Sequence, residues 1–122
     1  MGEKAILMRK DELKSLMDAL DHLEAGDIEA AHRLVQQTEG EPVSDSLHAI
    51  IHRRSGDLSN SAWWWRKVGT MIPQELGRLY NDDPVAFGNH RGGAGSQEAA
   101  DYARIEGEEI DILRKALMEP RI

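Results

Sequence analysis

One short segment of this chain recurs thirty residues later, and that recurrence constrains the fold more than any other feature. Residues 19–26 read ALDHLEAG and residues 49–56 read AIIHRRSG. Ala19 matches Ala49, His22 matches His52, and Gly26-Asp27-Ile28 matches Gly56-Asp57-Leu58. In each turn the glycine suits a helix end, and the aspartate can accept from the free N–H groups of the next helix. A unit of this length that stops and restarts a helix predicts stacked helical hairpins rather than a catalytic α/β scaffold.

The apolar period supports the same fold. Leu13, Leu16, Met17, Leu20 and Leu23 form one stripe of a first helix over 9–24, and Ile28, Ala31, Leu34 and Val35 form that of a second. Pro42 breaks the chain, Ser44 is placed to cap a third helix bearing Leu47, Ile50 and Ile51, and Gly56-Asp57 opens a fourth. Residues 9–69 thus read as a two-unit helical repeat within a single domain of 1–122. Pro73 suits the first turn of a short helix ending near Tyr80. Residues 81–96, rich in Gly, Asp and Asn, read as a long loop. Ser96 would then cap a long C-terminal helix with Ala99, Tyr102, Ala103, Ile105, Ile110, Leu113 and Leu117 inward. The expected class is all-α: two stacked hairpins, a short helix, a Gly-rich loop and a long last helix.

Three consecutive tryptophans, Trp63-Trp64-Trp65, cannot all face one core, because successive helical side chains lie about 100° apart. Trp65 shares a face with Leu58, Ala62 and Val68, and Trp64 is read as a packing residue beside it. Trp63 lies among Ser59, Asn60, Arg66 and Lys67, so it needs a cover or stands as an exposed anchor. The C-terminal helix is the natural lid for the exposed side of Trp63 or Trp64.

The formal net charge of −7 argues against nonspecific nucleic-acid binding, which depends on basic residues displacing counterions. Charge is uneven, however. Arg53, Arg54, Arg66 and Lys67 stand in a basic stretch, and Glu98, Asp101, Glu106, Glu108, Glu109, Asp111 and Glu119 in an acidic one. These stretches read as complementary to each other, within or between subunits. No apolar run approaches the roughly 20 residues that span a bilayer, and the N-terminus lacks a secretory pattern, so a cytoplasmic protein with no membrane contact is expected. The absence of cysteine removes disulfides, thiol nucleophiles and thiolate metal sites.

The run from Gly56-Asp57-Leu58 through Ala62 and Trp65 to Arg66-Lys67 resembles the second helix of tetratricopeptide and Sel1-like repeats. It departs from them in its period of thirty and in lacking a proline after the second helix. The wider stretch from Gly26 to Gly69, with AAHRLVQ and LHAIIHRRSGDLSNSAWWWRKVG, is similar to a group of small bacterial proteins without assigned activity. The resemblance implies a helical-repeat protein and brings no chemistry with it.

Two clusters carry candidate chemistry. The repeat register sets Asp18 opposite His48 and His22 opposite His52, each pair spaced i,i+4. If the first and third helices pack side by side, these four residues form one polar patch able to hold zinc or another borderline divalent metal. The commoner reading is a solvated face with ordinary histidines. A zinc-protease motif fails, because Ala49 stands where the catalytic glutamate belongs between His48 and His52. His32 has no evident partner by spacing. In the Gly-rich loop, Arg91, Gly92, Gly93 and Ser96 form a candidate anion site beside a helix N-terminus, but the Walker lysine is missing and a flexible loop is the commoner outcome. No Gly-x-Ser-x-Gly elbow occurs.

The sequence therefore favours a non-enzymatic helical-repeat protein that binds a protein partner or itself, a homodimer being the simplest case, with no cofactor required. Its interaction surface would comprise Trp63, Arg53, Arg54, Arg66 and Lys67. The rival is a metal-binding protein, with hydrolysis as its extreme form, built on Asp18, His22, His48 and His52.

Overall fold

The computed structural model describes residues 9–89 and 97–119. The chain is all-α, and no strand occurs among the described residues. Among the described residues seven helices follow in order: α1 Lys10–Glu24, α2 Ile28–Val35, α3 Pro42–Arg54, α4 Leu58–Val68, α5 Gln74–Leu79, α6 Pro84–Gly88 and α7 Gln97–Met118. Short 3-10 turns, Gln36–Thr38 and Gly69–Met71, follow α2 and α4.

α1 with α2 and α3 with α4 form two hairpins closed by turns of nearly identical backbone. Gly26 and Gly56 have φ of 86° and 87°, the left-handed region that glycine enters without steric cost. Asp27 and Asp57 follow at φ, ψ of −90°, 78° and −94°, 78°, and accept from the N–H groups of Ala30 and Asn60. The N–H groups of both aspartates donate back to the carbonyls of His22 and His52, at 2.8 and 2.9 Å. The recurring Gly-Asp pair thus works as a combined helix stop and helix cap.

α3 packs on α2, α4 and α7, while α7 also lies along α1 and α5. The core between them is Leu16, Leu20, Val35, Leu47, Ile50, Leu76 and Leu113, each without accessible surface, closed by Trp64, Trp65 and Tyr80. Burying a side chain of this size contributes about 1.5–3 kcal/mol, enough collectively to offset the ordering of short helices that are unstable alone.

Several local expectations need correction. Pro42 starts α3 rather than breaking the chain, because a helix's first position lacks an N–H partner anyway. Its cap is the Glu41 carboxylate, which accepts from the N–H groups of Val43 and Ser44. Ser44 is buried instead, its hydroxyl 2.7 Å from that of Thr38. Within the expected 81–96 loop, Pro84–Gly88 is helical, because Asp83 accepts from the Ala86 N–H and Pro84 presets the first turn. Ala103, expected inward on α7, is exposed, while Glu109 is fully buried. Ser96 and the candidate anion site Arg91, Gly92 and Gly93 lie outside the described residues.

Candidate functional site

Two features of the α3–α4 hairpin carry chemistry or contact potential: a cluster of imidazoles on its inner seam with α2, and an uncovered face on α4.

The cluster joins His48 and His52 of α3 with His32 of α2. One ring nitrogen from each residue lies within 4.8 Å of the other two. The Nε2 atoms of His32 and His48 are 3.1 Å apart, so one ring donates and the other accepts. His48 and His52, one helical turn apart, stack at 5.0 Å between centroids and 12° between planes. His32 meets both edge-on, at 4.9 and 5.0 Å. Trp64 lies against the other side of His48 at 3.9 Å, and the Lys67 ammonium caps the Trp64 ring at 4.7 Å.

Burial pushes the His48 imidazole down to about 3, with the neighbouring His52, His32 and Lys67 acting in the same direction. Burial and the charge of His32 lower His52 as well, against the opposing carboxylate of Asp57. That carboxylate stands 3.8 Å from His52 Nδ1. The Nδ1 atom of His48 is buried and has no hydrogen-bond partner among the described residues.

This arrangement revises the constellation expected from spacing. His48 and His52 converge, but Asp18 and His22 are not the side chains they meet. Asp18 pairs with Lys14 at 2.9 Å, and His22 sits at the exposed end of α1 with its Nδ1 3.8 Å from Asp27. The physical reason is the order of packing: α2 faces α3, so His32, which showed no partner in the sequence, supplies the third ring.

The uncovered face is the outer side of α4. Ser59, Asn60, Trp63, Arg66 and Lys67 are all exposed, with Trp63 at 50%. Trp65 is 4% exposed and packs edge-on against Tyr80, while Trp64 is covered by His48. Thus the three indoles divide into core, seam and surface. The C-terminal helix does not serve as a lid for Trp63, since its inner side is committed to α1, α3 and α5.

Two of the five residues expected on an interaction surface are not available to one. Arg53 is fully buried, and Arg54 is largely so, its side chain 13% exposed. Arg53 donates through both terminal nitrogens to Glu109 at 2.6 Å and through Nε to the Tyr102 hydroxyl. Tyr80 donates to the same carboxylate. Arg54 donates to the Glu106 carbonyl at 2.7 Å and lies 3.4 Å from the Glu106 carboxylate. The basic and acidic stretches therefore neutralise one another here within one chain. Arg66 and Lys67 form no ion pair among the described residues.

Comparison with protein-family models, curated proteins and solved structures gave no match, so no activity is inherited by likeness. No described helix is long and apolar enough to cross a membrane.

Proposed function

We propose that the chain is a non-enzymatic helical-repeat module, of the tetratricopeptide or Sel1-like kind and acting in the cytoplasm, that binds an acidic protein surface through the outer face of α4. The observation that carries this reading is Trp63: a large aromatic left half exposed, flanked by Arg66 and Lys67 with no acid paired to either among the described residues. Lys67 lies 5.6 Å from the Trp63 ring centroid, so cation and indole form one contact unit. Tryptophan anchors bordered by cations suit partners that offer an apolar notch rimmed by carboxylates. The matched Gly-Asp turns support the repeat architecture that would present such a face.

A photo-crosslinking amino acid at position 63, introduced in the native host, tests this. The expected result is one discrete protein adduct that disappears when Arg66→Glu and Lys67→Glu are added. An adduct of twice the chain mass identifies a second copy as the partner. Labelling no different from that at the exposed Arg33 position would overturn the proposal.

A further inference from the structure

We propose that His32, His48 and His52 form a binding site for a single borderline divalent cation, zinc being the best fit, at the seam between α2 and α3. The donor set argues for the class of metal. Three neutral imidazoles without a carboxylate suit zinc, copper, nickel or cobalt, and give little to magnesium or calcium, which require oxygen. Tetrahedral zinc at its usual bond length sets nitrogen pairs about 3.3 Å apart. The His32–His48 pair, at 3.1 Å, is at that spacing before any ion enters. The outer limit of 4.8 Å for the set must shorten, and His52, its side chain 16% exposed against the enclosed His48, is the ring free to move inward.

At the His32–His48 contact one Nε2 carries the shared proton, so an entering ion requires that ring to carry its proton on Nδ1 instead. Behind His52, the Asp57 carboxylate stands 3.8 Å from Nδ1, too long for a hydrogen bond as it stands but on the side from which a carboxylate orients a ligating ring. Asp57 is itself held in place by accepting from the backbone and side-chain amides of Asn60. Two features work in the opposite direction. The His48 and His52 rings stack 12° from parallel, so one of them must turn before both in-plane lone pairs can meet one ion. Lys67 adds positive charge nearby, but the Trp64 ring lies between it and His48.

Three protein ligands leave a fourth position for water or for a group from elsewhere. Because His32 belongs to the first hairpin and His48 and His52 to the second, an ion here ties the two hairpins together. Its binding therefore adds to stability by linkage.

The test uses the untagged full chain, stripped with a chelator and titrated with zinc against a competing indicator dye at pH 7. One ion per chain is expected, with a raised unfolding midpoint. His32→Gln and His52→Gln, each verified as folded by circular dichroism, should each weaken binding at least tenfold. His22→Gln, which removes the matching ring beside Asp27 at the other turn and leaves the three clustered rings in place, should bind like the parent. Absence of stoichiometric binding by the folded parent chain would overturn the proposal. So would unchanged affinity in both His32→Gln and His52→Gln, or an equal loss in His22→Gln.

Discussion

Arg53 and Glu109, fifty-six residues apart, meet as a two-pronged ion pair with both side chains fully enclosed. The pair bolts the middle of α7 to the last turn of α3. Burial alone would lower the Arg53 pKa, but the hydrogen bonds and charge of Glu109 raise it above the usual arginine range. The guanidinium also lies 4.9 Å from the Phe87 ring centroid and 5.2 Å from that of Tyr102. Removing either partner breaks the two-pronged pair in an enclosed region and leaves only weaker contacts, Arg54 at 3.2 Å from Glu109 and Glu106 at 3.8 Å from Arg53. Glu109→Leu and Arg53→Met should each destabilise the chain by about 3–5 kcal/mol in urea unfolding. The double variant should lose far less than the sum, since an apolar pair leaves no charge uncompensated. Additive losses would show that the two side chains act independently.

The neighbouring tryptophans should respond oppositely. Trp65→Ala opens a void against Tyr80 and should cost about 3–5 kcal/mol. Trp63→Ala, at a half-exposed position, should change the urea midpoint by an equivalent of about 1 kcal/mol or less. Comparable losses for the two would mean that Trp63 is covered in solution.

His48 predicts an acid limb in the stability profile. Its folded-state value lies near 3, below that of an unfolded histidine, so the unfolded chain takes up the proton first. The contribution is complete above the ordinary histidine range and is lost as pH falls from there toward 3. The slope from this one site is about 1.4 kcal/mol per pH unit. Asp45, raised by burial, acts with the opposite sign near the carboxylate range, losing its contribution as pH rises. The difference between the parent chain and His48→Phe, followed by urea midpoints from pH 7 to 4, isolates the histidine. A pH-independent difference would place His48 in water.

The hairpins were legible because their signals are local. Gly-Asp turns and leucine spacing are set by residues within one or two helical turns of each other, and both the helix ends and the stripe of α1 follow from them. The Arg53–Glu109 pair was not legible as a pair, since it is made only when α7 folds back. Arg53 beside Arg54 reads as a solvated basic run. A signal was nevertheless present: Glu109 stands one turn before Leu113 and two turns after Tyr102, inside the apolar stripe of α7, and a carboxylate in that position demands a buried cation. The histidines divide along the same line. His48 and His52 share a helix and could be paired by spacing, whereas His32 required knowing that α2, rather than α1, supplies the facing ring.

The two Gly-Asp turns place a histidine ring at the same 3.8 Å from an aspartate, yet only one of those rings has company. His22 looks outward from a helix whose neighbours offer it nothing, while His52 finds His32 waiting across the junction. Chemistry here is thus a property of adjacency rather than of the motif. Neither hairpin owns the triad, and a cut between residues 36 and 41 would divide it into two inert halves. A chain lengthened by one more hairpin of the same kind would acquire a new junction, and with a histidine at the matching place, a second triad.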